Sequence, residues 1–180
     1  MRTITSGLFM SLDGVVENPQ TWHFPYFDEQ MGAAVGAQMA GADTMLLGRK
    51  TYETFAASWG HRSSDVPFTD VINAMPKVVV SRTMESADWQ NSQVLDGDLA
   101  EAVTALKHGP GGGISIPGSV SVVRSLLQLG LLDELHLMVH PIVLGSGEKL
   151  FDDTTGRVPL RLKGSEVFSS GVVYSTYVPA

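Results

Sequence analysis

Cysteine is absent from the 180 residues, and this absence removes whole classes of chemistry. Disulfides, thiol nucleophiles, Fe–S clusters and zinc sites that contain Cys are all excluded. The absence also agrees with a reducing compartment. No stretch of the chain reaches the roughly 18 apolar residues that a membrane helix needs, and no segment is typical of a secretion signal. We therefore expect a cytoplasmic protein without a membrane partner.

Positive charge is scarce as well. Twelve Lys and Arg residues stand against nineteen Asp and Glu residues, which gives a net charge of −7. The cations are scattered singly or in pairs such as Arg49-Lys50, and no basic patch offsets the negative field. We therefore predict that nucleic acid is not a partner. The chain also has no repeat, no low-complexity tract and no linker, so we expect one domain over residues 1–180.

The segments that are present alternate between two kinds, which is typical of an α/β domain with a mostly parallel sheet. Apolar runs predict strands over residues 2–12, 44–47, 77–81, 113–116 and 134–144. Helical spacing predicts helices over residues 28–41, 50–59, 98–108 and 119–129. Residues 160–168 and 171–177 alternate on either side of a Ser-Ser-Gly turn, which predicts an antiparallel hairpin at the C-terminal end.

Three junctions between a strand and the segment after it carry residue types that bind phosphate. The first is Gly48-Arg49-Lys50-Thr51, where a glycine, two cations and a hydroxyl open a helix. Free backbone N–H groups, the helix dipole and the cations would all attract an anion there. An ordinary turn with solvated cations is the alternative.

The other two junctions are similar. Ser81-Arg82 follows an apolar strand and could clamp a phosphate monoester, although such a turn is also common. Gly118-Ser119-Val120-Ser121 again places a glycine and hydroxyls at a helix start. Ligands of open α/β sheets gather at the carboxyl ends of strands, and three such junctions at equivalent positions are not expected by coincidence, so together they favour a phosphate-bearing ligand.

No metal site is predicted. His136 and His140 are four residues apart, but on a strand they would stand about 13 Å apart and could not share an ion.

A series of short motifs runs in order along almost the whole chain. It comprises residues 11–14 (SLDG), 48–53 (GRKTYE), 79–83 (VVSRT), 118–119 (GS), 126–127 (LL), 131–135 (LLDEL), 141–147 (PIVLGSG), 150–151 (LF) and 171–173 (GVV). This series resembles the dihydrofolate-reductase-like superfamily, and most closely the C-terminal reductase domain of the bifunctional riboflavin-biosynthesis deaminase-reductase. The resemblance implies a three-layer fold, with helices on both faces of a mostly parallel sheet and an antiparallel C-terminal hairpin. It also implies NADPH as cofactor and a homodimer.

The resemblance assigns a role to each junction. Gly48, Arg49, Lys50 and Thr51 would hold the NADPH pyrophosphate. Ser81 and Arg82 would meet the 2′-phosphate. Gly118, Ser119, Val120 and Ser121 would lie over the pyrophosphate and nicotinamide side.

The substrate side is predicted from fewer signals. Asp13 lies in a loop that borders the nicotinamide in the family and is the candidate catalytic residue, with a plain Asp-Gly turn as the alternative. Asp28 is a candidate substrate ligand, with a helix cap as the alternative. The aromatic residues Trp22, Phe24 and Trp59 could stack on a flat ring or belong to the core.

The implied function is an NADPH-dependent reductase that transfers hydride to a small heterocyclic substrate. The most similar activity is that of 5-amino-6-(5-phosphoribosylamino)uracil reductase. A dihydrofolate or other pterin reductase and a non-catalytic NADP(H)-binding protein are the alternatives. Two departures concern the substrate phosphate: Val15 stands where the family commonly has a basic residue, and His61, Arg62 and Arg124 form no evident cationic cluster.

Overall fold

The computed structural model describes residues 1–180 and contains one eight-stranded sheet with five α-helices. The strands are β1 (Ile4–Ser11), β2 (Ala42–Gly48), β3 (Lys77–Val80), β4 (Ser92–Val94), β5 (Gly113–Pro117), β6 (Glu134–His140), β7 (Leu160–Val167) and β8 (Val173–Pro179). The helices are α1 (Glu29–Ala40), α2 (Arg49–Trp59), α3 (Thr69–Ala74), α4 (Leu99–His108) and α5 (Val120–Gln128). None of these helices combines the length and apolar character needed to cross a bilayer.

The strands lie in the order β4-β3-β2-β5-β1-β6-β8-β7. All pairs from β4 to β6 are parallel, whereas β8 pairs antiparallel with both β6 and β7. The C-terminal hairpin therefore extends one edge of a parallel sheet. This arrangement confirms the predicted fold class.

Alternating side chains bury both faces of the central strands. In β2, Leu46 joins the largest core cluster, which also contains residues of α4 and α5. Its neighbours Met45 and Leu47 join a second cluster with Tyr52 of α2 and Ile72 of α3. A continuous apolar run in the sequence is the pattern of such a doubly covered strand. Helices therefore cover both faces of the sheet, as expected.

Some boundaries differ from the prediction. Strand β6 ends at His140 rather than at residue 144, because Pro141 has no N–H for the ladder and the Ile142 N–H donates to the His140 carbonyl. The sequence patterns also missed α3 and β4, which have six and three residues. Phe68 precedes α3 with a left-handed backbone and no capping side chain, so the usual start signal is missing.

Candidate functional site

A cleft of about 500 Å³ opens at the carboxyl ends of β2 and β5 and runs along the face of the sheet beneath α1 and α2. Two of the three predicted junctions meet there. The cleft is lined by Gly48, Arg49, Lys50 and Thr51 from the first junction and by Gly118, Ser119, Val120 and Ser121 from the third. About seventy residues separate the two segments in sequence, and they are adjacent because β5 pairs directly with β2.

Direct hydrogen bonds join the two junctions. The Gly48 N–H donates to the Ser119 Oγ over 3.0 Å, and the Ser119 N–H donates to the Thr51 Oγ1 over 2.9 Å. Gly118 and Ser119 both have left-handed backbones, with φ of 60° and 47°, and this turns the chain sharply into α5. The conformation costs little at glycine and more at Ser119, whose side chain and N–H are both held by the first junction.

The N-termini of α2 and α5 consequently open into the same cleft. The first N–H groups of a helix have no partner within the helix, and the helix dipole adds partial positive charge at that end. Arg49 and Lys50 add two cations at the start of α2. The arrangement can bind an anion between two helix ends and two cationic side chains.

Both cations already have partners in the protein. The Arg49 Nε donates to Glu53 over 2.7 Å, and its Nη1 donates to the Thr83 Oγ1 over 3.0 Å. Lys50 lies 3.8 Å from a Glu17 carboxylate oxygen and 3.9 Å from one of Glu148. These distances and the high exposure of Lys50 make its ion pairs weak, so its ammonium group can turn toward an anion.

The second junction lies beside the cleft rather than in its wall. Ser81 and Arg82 do not line the cleft, although the contact between Arg49 and Thr83 places their turn next to the first junction. The Ser81 hydroxyl accepts hydrogen bonds from the backbone N–H groups of Thr83 and Met84 and so fixes the turn. The Arg82 side chain is exposed.

Asp13 lies outside the cleft, and its carboxylate is occupied by the protein. It accepts hydrogen bonds from the Ser11 hydroxyl at 2.7 Å and from the backbone N–H groups of Leu144 and Gly145 at 3.1 and 2.9 Å. These bonds, that of Ser11 above all, lower its pKa to about 2. Asp13 therefore connects the loop after β1 to the loop after β6. It does not line the cleft, so no contact there supports its predicted catalytic role.

Asp28 caps α1, which was the alternative interpretation of this residue. Its Oδ1 accepts a hydrogen bond from the Met31 N–H at 2.8 Å, and its Oδ2 accepts from Ser169 and Ser170. The bond from Met31 is the main reason that the pKa of Asp28 is lowered. Asp28 does not line the cleft.

The three predicted aromatic residues lie in different environments. Trp59 lines the cleft. Trp22 is buried against the ring of His140, and its indole N–H donates to the Glu17 carbonyl over 3.0 Å, so it belongs to the core. Phe24 is 64% exposed, contacts the His23 ring at a tilted angle and does not line the cleft.

Several residues of the cleft wall were not predicted. They include Glu17, Asn18, Pro19 and Gln20 from the loop after β1, Gln38 and Met39 from α1, Phe55 from α2, and Glu148. Gln38 carried a signal, since it is a polar residue on the otherwise apolar face of a helix. The loop residues have no motif, and only the folded chain brings them to the cleft.

Comparisons with known proteins give a consistent result. The family model for the RibD C-terminal domain matches residues 2–174. The Bacillus subtilis protein YyaP, which is uncharacterised, is 33% identical over 186 residues, covering 98% of this chain and 94% of YyaP. YwjB of the same organism, also uncharacterised, is 33% identical over 132 residues, covering 72% of this chain and 70% of YwjB.

Solved structures share the fold at low identity. A protein from Shewanella sp. PV-4 that is named for riboflavin biosynthesis superposes with a TM-score of 0.80 at 21% identity, covering 100% of this chain and 99% of that one. A deaminase/5-amino-6-(5-phosphoribosylamino)uracil reductase from Thermotoga maritima superposes with a TM-score of 0.70 at 13% identity, covering 99% of this chain and 57% of that one. With the family model, which matches almost the whole chain, these findings agree with the resemblance seen in the sequence motifs. The chain belongs to the RibD C-terminal domain family, with the dihydrofolate-reductase-like fold.

Proposed function

We propose that this protein is an NADPH-dependent reductase that transfers hydride to a small heterocyclic substrate bound in the cleft. The observation that carries the proposal is the convergence of the α2 and α5 N-termini, with Arg49 and Lys50, on one cleft. Family membership supports a reductase-like role, because the Thermotoga maritima enzyme of the same fold is named as a reductase.

The residues at the two helix starts fit a dinucleotide. A side chain at Gly48 would place its Cβ 3.3 Å from Val122, and one at Gly118 would lie 3.3 Å from Thr51, so both positions hold the backbone in close packing. The two glycines thus let the two helix starts pack side by side, which would allow backbone N–H groups of both helices to bind the same pyrophosphate. In this proposal Gly48 to Thr51 and Gly118 to Ser121 hold the pyrophosphate, while Ser81 and Arg82 meet the 2′-phosphate.

The rest of the cleft suits hydride transfer. Bound NADPH would supply the hydride. The protein's part is to hold the two reacting carbons close together and to exclude water. Apolar side chains serve the second purpose, since Phe9, Met39, Met45, Phe55 and Trp59 all line the cleft. Because hydride transfer depends mainly on geometry, the engagement of Asp13 and Asp28 elsewhere agrees with this chemistry.

One set of assays separates the proposal from its alternatives. Purified protein is titrated with NADPH by calorimetry, and loss of NADPH absorbance is then followed with a ribosylaminopyrimidine and with dihydrofolate. The proposal expects binding and oxidation with the pyrimidine. Oxidation with dihydrofolate alone would indicate a pterin reductase, and binding without any oxidation would indicate a non-catalytic NADP(H)-binding protein. Absence of NADPH binding would overturn the proposal.

A further inference from the structure

Helix α1 places one polar group in the cleft wall, and the orientation of that group is defined by its hydrogen bond. Helix α1 contributes Val35, Gln38 and Met39 to the wall, and Gln38 is the only polar residue of the three. Its side-chain amide lies over Gly7 of β1, where a Cβ atom would be only 1.9 Å from the Gln38 Oε1. The missing side chain at position 7 is therefore what makes room for this amide.

A chain of hydrogen bonds beneath α1 determines the orientation of the Gln38 side-chain amide. The His136 Nε2 lies 3.2 Å from one carboxylate oxygen of Glu134, and the other oxygen of that carboxylate pairs with Lys163. The Nε2 therefore carries the proton, and the Nδ1 is an acceptor. Burial lowers the pKa of His136, which agrees with a neutral ring.

The acceptor Nδ1 lies 2.9 Å from the Tyr174 hydroxyl and 3.1 Å from the Thr176 hydroxyl, and its single lone pair takes the proton of Tyr174, the nearer of the two. The Tyr174 oxygen is then left as an acceptor, and the Gln38 Nε2 donates to it over 3.4 Å. This assigns the amide nitrogen of Gln38 to Tyr174. The Oε1 takes part in no hydrogen bond of the protein and is available to a ligand in the cleft.

The charges in the cleft wall restrict the ligand further. The charged residues that line it are Arg49 and Lys50, both at the helix start proposed for the pyrophosphate, and the carboxylates Glu17 and Glu148. The other candidate cations are not part of the wall: Arg62 stacks on the ring of Trp59, which is, while Arg124 pairs with Asp152 over 2.8 Å and His61 is exposed. Once Arg49 and Lys50 bind the pyrophosphate of a dinucleotide, no cation in the wall remains for a phosphate group on the substrate.

We infer, on the basis of the proposed function, that the α1 half of the cleft binds a planar heterocycle without a phosphate group, which donates an N–H hydrogen bond to the Gln38 Oε1. Gln38 is the specificity-determining residue, and Tyr174 and His136 are positioning residues. The substrate class thus differs from the phosphorylated pyrimidine in the name of the Thermotoga maritima enzyme. Nonpolar contacts from Phe9, Val35, Met39 and Met138 complete the site.

The test compares one heterocycle with and without its phosphate. Protein saturated with NADP⁺, which prevents turnover, is titrated by calorimetry with 5-amino-6-ribosylaminouracil and with its 5′-phosphate. We expect the compound without phosphate to bind at least as tightly. Binding that is tenfold tighter for the phosphorylated compound would overturn the inference, as would failure of both compounds to bind.

Variants of the helix test the hydrogen bond itself. Gln38→Leu should weaken binding of the unphosphorylated compound about tenfold, as expected for one lost hydrogen bond, whereas Gln38→Glu, which keeps an acceptor oxygen, should stay within a few-fold of the wild type. Gln30→Leu is the matched control, because Gln30 lies two turns earlier on α1 and contacts Glu166 and Ser169 outside the cleft. Equal binding by Gln38→Leu and wild type would contradict the inference. If the wild type does not bind NADP⁺, that result would instead contradict the proposed function.

Discussion

At the scale of single residues, the same short pattern fits a catalytic and a structural role. Asp13 before a glycine and Asp28 before a helix could each have faced a ligand, and both instead accept hydrogen bonds from backbone N–H groups. Composition cannot separate these outcomes, because a carboxylate that binds a substrate and one that binds a loop look alike in sequence. The loop that receives Asp13 lies more than a hundred residues away along the chain.

Replacing Asp13 by Asn should therefore reduce stability. The amide keeps one acceptor oxygen and points a donor at a backbone N–H. Because the pKa of Asp13 is lowered from 3.8 to about 2 in the folded state, its stabilisation is present above pH 4 and is lost as the pH falls through about 2. Urea unfolding of both proteins between pH 2 and 6 should show a difference that shrinks toward acid. A difference independent of pH would contradict this account.

Cofactor choice should depend on Arg82. If its guanidinium meets the 2′-phosphate, Arg82→Ala removes a charge-assisted contact and weakens NADPH binding by about 1.5 to 3 kcal/mol, with little effect on NADH. Calorimetric titration with both cofactors measures the effect. Arg157→Ala, which removes another exposed arginine, is the control. Equal losses for NADPH and NADH would show that Arg82 does not contact the 2′-phosphate.

At the scale of elements, long periodic segments could be predicted and short ones could not. Helix α4 has an Asp98 cap, and its predicted range differs from the observed Leu99–His108 by one residue at its start. The three-residue β4 has too little pattern to be recognised, and it forms because β3 offers it a neighbouring edge. Individual junctions were also predictable, but the hydrogen bonds that join them depend on which strands pair.

One of those bonds can be tested through Thr51, whose hydroxyl accepts from the Ser119 N–H. Thr51→Val keeps the shape of the side chain but leaves that N–H without its partner. We expect a loss of about 1 kcal/mol in the free energy of unfolding and weaker NADPH binding, because the α5 N-terminus is no longer fixed against α2. Thr51→Ser keeps the hydroxyl and should resemble the wild type. If both variants behave alike in urea unfolding, the bond is not what holds the junctions together.

At the scale of the whole molecule, the sheet order creates the cleft. Strand β5 lies between β1 and β2 although it follows both in sequence, and this brings the start of α5 beside the start of α2. The segment pattern predicted an α/β domain with a mostly parallel sheet and a C-terminal hairpin, but the three-layer fold came from the resemblance to a known family, since periodicity alone does not give strand order. The apolar face of α1 and the loop residues of the cleft could be identified only once that order was known.

The sheet also buries a lysine whose charge affects global stability. Lys77 is fully buried in β3, and its Nζ donates to the Asn73 carbonyl over 2.7 Å and to the Gln90 carbonyl over 3.0 Å. Burial lowers its pKa from 10.5 to about 8. Between these values the unfolded chain binds more protons, so the contribution of Lys77 to the free energy of unfolding should increase with pH.

Comparison with Lys77→Met isolates this effect from other titrating groups. Urea unfolding is measured at several pH values between about 7 and 10.5, the upper limit being the ordinary pKa of lysine. Above about pH 8 the wild type should gain stability relative to the variant. A constant difference across this range would indicate that the pKa of Lys77 is ordinary in the folded protein.

The central claim is that the N-termini of α2 and α5 together bind the phosphates of NADPH. Its most direct test is calorimetric titration of NADPH into the wild type and into Ser121→Asp, which places a negative charge on the exposed second residue of α5 inside the cleft. An acidic residue at this position favours the helix dipole, so the variant should fold as stably as the wild type while binding NADPH about tenfold more weakly or worse. Ala100→Asp, at the second residue of α4, is the matched control and should bind like the wild type. NADPH binding that is equal in wild type and Ser121→Asp would contradict the claim.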